Sequence, residues 1–161
     1  MSAEEQGHRD GGLKISKYSD ALSEAQGQAP DWGRVQSLLQ EAMEEGDMEA
    51  AYALGTWYFH GHHLPQDIEK GVRLIEQAAN KKVPAALNHL AMCYEKGEGK
   101  TYNARLAAEN YLMAALYGDE QSFVETGRCL FYGIGFLEDR SLAKIWYEKA
   151  ESLGRDVDCY E

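Results

Sequence analysis

Four groups of side chains in this sequence are of types and spacings that could do chemistry. His60-Gly61-His62-His63, with Asp67 close behind, brings three imidazoles and a carboxylate together, donor types that suit a divalent metal. A metal-dependent enzyme built on His60–His63 is therefore one reading. Adjacent histidines in a turn rarely supply a fixed tetrahedral set, however, and no second cluster completes this one, so solvated loop histidines and no metal are expected. Gly97-Glu98-Gly99-Lys100-Thr101 ends like a phosphate-binding P-loop. That motif needs a glycine where Tyr94 stands and a strand before the loop. Cys93 and Cys129 could be nucleophiles, but neither has an evident histidine and acid partner. Glu4-Glu5 and Glu44-Glu45 read as solvated charge. No enzyme signature survives, and no catalytic residue or cofactor is assigned.

The elements that must position these groups recur with a fixed step. Gly61, Gly97 and Gly133 are 36 residues apart, and Gly46, Lys82, Gly118 and Gly154 follow the same step with one lapse. Ala42, Ala78, Ala114 and Ala150 form a third ladder. Self-similarity at a period of a few tens of residues marks a stack of supersecondary units. It turns the Gly97–Thr101 motif into an inter-helix turn. It also makes Cys93 and Cys129 equivalent sites in neighbouring units, roughly 8–10 Å apart, which is too far for an unstrained disulfide. Reduced, packed thiols are expected.

Helical periodicity fills the steps. Ile15, Tyr18, Leu22 and Ala25 share a face in a helix over 13–26, and Asp31 caps a second helix carrying Val35, Leu38, Leu39 and Ala42. Three helix pairs follow: 48–59 with 68–80, 84–95 with 104–116, and 120–131 with 140–152. Asp67 and Asp139 stand where N-caps are needed, and Pro84 stands at a helix start, where its missing N–H costs nothing. Small residues align in the first helices (Ala50, Ala86, Ser122; Gly55, Ala91, Gly127), as do Gly71, Ala107 and Ala143 in the second. A glycine inside a helix costs about 1 kcal/mol against alanine, so Gly55 and Gly127 imply close backbone packing as compensation. The expected organisation is a disordered tail over 1–12, N-terminal helices with a half-repeat over 13–45, three repeats over 46–154, and a tail over 155–161. His89 is expected on a helix surface.

The chain has 161 residues and a formal net charge of −11. Residues 1–49 hold 11 acidic against 4 basic side chains, and residues 50–161 hold 16 against 12. Such a surface repels phosphate and so disfavours nucleic acid, while it steers in a basic partner. No apolar run reaches membrane-span length, and the polar start Met1-Ser2-Ala3-Glu4-Glu5-Gln6 is unlike a secretory signal. A cytoplasmic location is expected.

The string Ala50…Leu54-Gly55-Thr56-Trp57-Tyr58-Phe59-His60-Gly61, continued by Asp67…Lys70-Gly71…Ala78-Ala79, resembles the Sel1-like repeat, a relative of the tetratricopeptide repeat. Leu90-Ala91-Met92-Cys93-Tyr94-Glu95-Lys96-Gly97-Glu98-Gly99 does too, as does Gly133-Ile134-Gly135…Asp139…Leu142-Ala143-Lys144-Ile145-Trp146-Tyr147…Ala150. Departures are Thr126 for leucine, His63 for the second loop glycine, and Lys100-Thr101-Tyr102-Asn103 where an apolar residue and an aspartate are usual. The last marks the second loop as a candidate for private function or looseness. The resemblance implies an all-α, right-handed solenoid of antiparallel helix pairs whose first helices line a concave groove, and a non-enzymatic adaptor or regulatory role. Tyr52, Thr56, Phe59, His60, Asn88, Met92, Glu95, Arg128, Phe131 and Tyr132 are the expected partner-binding residues, in a groove that Glu49, Ala85, Lys96, Gln121 and Val124 are expected to complete. The sharpest functional expectation is a bacterial immunity protein that binds and blocks a basic toxin such as a nuclease. A scaffold holding a peptide in the groove is the alternative.

Overall fold

The computed structural model describes residues 16–157. The expected tail over 1–12, the first residues of the helix expected over 13–26, and Cys159 lie outside them. The described residues form eight α-helices and no strand: α1 (Lys17–Ala25), α2 (Trp32–Glu44), α3 (Met48–His60), α4 (Ile68–Asn80), α5 (Pro84–Lys96), α6 (Ala104–Leu116), α7 (Gln121–Tyr132) and α8 (Arg140–Ser152). Each helix packs chiefly on its neighbours in sequence, most closely within the pairs α3–α4, α5–α6 and α7–α8. This is an all-α repeat solenoid, in which burial runs from unit to unit rather than around one centre. The pair α1–α2 extends the expected half-repeat. Ala21 of α1 is buried with Val35, Leu39 and Ala42 of α2 and with Ala50 and Leu54 of α3.

The two turns of each unit are built the same way every time. After the first helix, Gly61, Gly97 and Gly133 take left-handed φ values of 71°, 69° and 68°, and their N–H groups donate to the carbonyls of Trp57, Cys93 and Cys129. The chain then returns so that the N–H of Asp67, Asn103 and Asp139 donates to the carbonyl of Tyr58, Tyr94 and Leu130. The side chains of the same three residues cap the second helix at the N–H of Lys70, Leu106 and Leu142. Asn103 thus does the work of the usual aspartate. Lys100 pairs with Glu76 at 2.8 Å, so the second loop is as regular as the others, and the expected looseness is corrected. The Gly97–Thr101 segment lies in that turn.

After each second helix, the N–H of Asp47, Val83, Asp119 and Arg155 donates to the carbonyl of Ala42, Ala78, Ala114 and Ala150. The intervening residues Gly46, Lys82, Gly118 and Gly154 have φ of 95°, 67°, 98° and 72°. Lys82 therefore keeps the glycine conformation without being glycine. A Cβ at Gly46, Gly118 or Gly154 would meet nothing within 4 Å, so the lysine costs backbone strain alone.

Small residues let the paired helices touch, as their recurrence implies. A Cβ on Gly71 would lie 2.6 Å from the backbone nitrogen of Phe59, and one on Gly55 would lie 2.9 Å from Ile75. Gly127 receives the ring of Tyr147. The last unit differs on its outer side. Positions filled by buried Val72 and Ala108 in α4 and α6 become exposed Lys144 in α8, and those filled by buried Ala79 and Ala115 become exposed Glu151.

Replacing Lys82 by glycine should stabilise the protein by about 0.5–1 kcal/mol, since relief of left-handed strain outweighs the added chain entropy. Gly71→Ala should destabilise it by about 1–3 kcal/mol through backbone overpacking. Urea midpoints at unchanged m-value would measure both.

Candidate functional site

The side chains that the helix pairing leaves over on α3, α5 and α7 line two adjoining clefts. One, of about 280 Å³, is bounded by Tyr52, Phe59 and His60 of α3, by Asn88, His89, Met92, Cys93 and Lys96 of α5, and by Glu98 and Gln121. The other, of about 260 Å³, shares Asn88, Met92, Lys96 and Gln121 and adds Glu95, Tyr111 and Glu125. The expected groove on the first helices is therefore a physical feature, and Met92, 37% exposed, sits on both of its halves.

The floor of the first cleft is aromatic. The imidazole of His89 lies 4.8 Å from the Phe59 ring and 6.2 Å from the Tyr52 ring, both edge-on, and 5.5 Å from His60. His89 is only 9% exposed, which corrects its expected place on a helix surface. Burial, with the nearby charges of His60 and Lys96, pushes its pKa down to about 4, so it is neutral near pH 7. Burial likewise pushes the thiols of Cys93 and Cys129 up to about 11. Both are free and buried, as packed, unreactive groups should be.

Two polar networks tie the α5 side of the groove to α7. The Asn88 amide donates to Asp119 at 3.0 Å and to the Ser122 hydroxyl at 2.7 Å. Ser122 in turn donates to the same Asp119 oxygen through both its N–H and its hydroxyl. Beside the second cleft, Glu95 accepts from the Tyr111 hydroxyl at 2.8 Å and from Arg128, which also donates to Glu125 at 2.8 Å. Burial works against the Arg128 charge, but the hydrogen bonds to Glu125 and Glu95 outweigh it and raise its pKa. These bonds hold the walls of the two clefts in place.

Tyr52, Phe59, His60, Asn88, Met92 and Glu95 thus come together in the groove. Lys96 and Gln121 line both clefts as well, whereas Thr56, Arg128, Phe131 and Tyr132 do not. Thr56 turns its hydroxyl back to the Ala53 carbonyl at 2.7 Å. Arg128 braces Glu95. Phe131 faces a separate hollow with Arg140 and Lys144 of α8, and Tyr132 is exposed at the helix end beside Phe131. Sequence reasoning put His89 on a helix surface, although Ala85, His89, Met92 and Lys96 fall on one stripe at steps of four, three and four.

The histidine cluster does not converge. His60 stacks on His62 at 5.4 Å, whereas His63 stacks on Trp32 at 3.7 Å and leans on Trp57. Among the described residues no group of three or more His, Cys, Asp or Glu is arranged to hold a metal ion. His63 holds a left-handed φ of 59° where the other units have Gly99 and Gly135. At those glycines a Cβ would strike the start of the preceding second helix, at Val72 and Ala104. The start of α2 presents Trp32 instead, and the imidazole lies flat upon it.

The Sel1 repeat model matches residues 49–83, 84–119 and 124–154. The chain belongs to the Sel1 repeat family. A Sel1 repeat protein from Oxalobacter formigenes superposes with a TM-score of 0.70 at 33% identity, over 73% of this chain and 89% of that one. A protective antigen of uropathogenic Escherichia coli with an SLR fold gives 0.79 at 28% identity, over 86% of this chain and 30% of that one. An immunity protein of Pseudomonas aeruginosa shares the fold with a TM-score of 0.60 at 21% identity, over 86% of this chain and 52% of that one. Among curated proteins, the mouse DAP3-binding cell death enhancer 1 is 35% identical over 56% of this chain, which spans only 18% of that relative's length. Sel1 repeats point to protein–protein interaction, and this family and fold are typically non-catalytic. No helix among the described residues is long and apolar enough to cross a membrane.

Because the pKa of His89 is low in the folded chain and near 6.5 in the unfolded one, the unfolded state binds the extra proton between those values. Stability should be full above pH 6.5 and fall by roughly 2–3 kcal/mol as pH drops towards 4. Urea unfolding across this range should show that slope in the native sequence and lack its His89 share in His89→Gln.

Proposed function

We propose that this Sel1 repeat protein is an interaction module that grips a partner protein along the α3, α5 and α7 face, and that it is a cytoplasmic bacterial immunity protein for a basic toxin such as a nuclease. The observation that carries the binding mode is the pair of clefts joined through Asn88, Met92, Lys96 and Gln121. Aromatic rings, an exposed methionine and braced polar groups line them, the mix found where partners anchor. The toxin reading draws on the net charge of −11, which favours and accelerates docking of a basic protein. It also draws on the fold shared with an immunity protein.

A general adaptor is the second reading. A curated relative, the mouse DAP3-binding cell death enhancer 1, is by its name a binding protein. The genomic neighbourhood distinguishes the two, because an immunity gene lies beside its toxin's.

The product of the adjacent gene should co-purify with this chain at low salt and lose affinity as salt rises. Met92→Asp should weaken the complex at least tenfold without lowering the melting temperature. No complex at low salt would remove the immunity reading; a complex indifferent to Met92→Asp would move the interface off the groove.

A further inference from the structure

The first cleft carries an unusual charge pattern for so acidic a chain. Lys96 of α5 lines it with two imidazoles, His60 of α3 and His89 of α5, the latter neutral near pH 7. Among the described residues Lys96 has no ion-pair partner and the His89 side chain makes no hydrogen bond, although His89 is nine-tenths buried. Its ring nitrogens are not among the fully buried side-chain atoms that lack a partner, so water reaches them, and a guest that displaced that water would have to supply the hydrogen bond instead. Here the open side of the imidazole is the cleft. The other groups that face it are Tyr52 from α3, Cys93 from α5 and Glu98 from the following turn, with uncharged Gln121 from α7. Glu98 is the one carboxylate among these lining residues, and it is exposed.

We infer that this cleft receives an acidic side chain of the partner, its carboxylate accepting hydrogen bonds from His89 and Lys96 with His60 at the rim. The inference rests on the groove being the interaction face. An apolar guest would leave His89 without a hydrogen bond. A cationic guest would meet Lys96. A carboxylate satisfies both bases, and charge-assisted hydrogen bonds of this kind are the strong ones. The guest is a side chain within a segment rather than a terminal carboxylate, because the groove continues into the second cleft through four shared residues. A segment lying along it would place an acidic residue in the first cleft and its flanking residues in the second.

The carboxylate also favours proton uptake by His89, so binding should tighten as pH falls below neutrality, the reverse of the loss of stability of the free chain.

The test uses the acetylated, amidated peptide Ala-Ala-Glu-Ala-Ala, its Gln counterpart, and acetylglycine as a terminal carboxylate. Histidine-ring NMR of the full chain follows each titration at pH 6. The Glu peptide should shift the His89 ring resonances saturably, at least tenfold more tightly than the Gln peptide or acetylglycine, and Lys96→Gln should weaken it at least tenfold. Lys96 is exposed, so that variant leaves the fold intact. Equal response to the Glu and Gln peptides, or indifference to Lys96→Gln, overturns the inference, and preferential binding of acetylglycine overturns the choice of a side chain. These outcomes do not depend on any partner protein. A complex that still forms and still responds to Met92→Asp would leave the interaction reading standing while this one falls.

Discussion

The carbonyls of Ala42, Ala78, Ala114 and Ala150 each take the N–H of the residue five positions on, through an intervening residue in the left-handed conformation. That small closure decides most of the architecture. It ends the second helix of each unit and fixes the direction in which the next first helix leaves. The alanines must be small because each is buried at the crossing with its neighbours. The turn is imposed so firmly that Lys82 obeys it without a glycine's freedom. A backbone conformation that is usually permitted by sequence is here enforced by the packing on both sides, as happens when the surrounding structure over-determines a strained residue.

Given that repeat, the groove follows. Paired helices spend their small residues on mutual contact, as Gly55 with Ile75 and Gly71 with Phe59 show. What remains on the first helices gathers on one face, although Phe59 and Cys93 also belong to the buried core. Two of its wall residues are nonetheless restrained, Asn88 by Asp119 and Ser122, and Glu95 by Tyr111 and Arg128. The groove is thus a rigid wall of polar networks around a softer centre at Met92, whose unbranched side chain can adapt to a guest.

The helix order, the caps at Asp31, Asp67 and Asp139, and the turns were legible in the sequence because each depends on local chemistry repeated at a fixed step. The groove was legible only in part. Tyr52, His60, Asn88 and Met92 could be placed by subtracting packing positions from a helix. Arg128 could not, because its role is set by Glu95 on another unit. His89 was hidden for a related reason. Its burial comes from Phe59 and Tyr52 on α3, and a polar residue on an amphipathic helix carries no mark of which neighbour will cover it. Asn103 and His63 looked like departures from the repeat, yet one supplies the same cap as aspartate and the other fills the space that Trp32 opens.

A stack of like units carries a hazard that a globular domain does not. A unit whose outer side matched the inner joints could seat another copy without closing, in the manner of a heterologous filament. In α8 the positions that receive a neighbour inside the stack carry Lys144 and Glu151 in place of valine and alanines, and Arg140 and Glu148 line the same hollow. Seating a second chain there would strip water from four charges at once. The outer side of α8 would therefore receive a neighbour only at a desolvation cost that the inner joints of the stack do not carry.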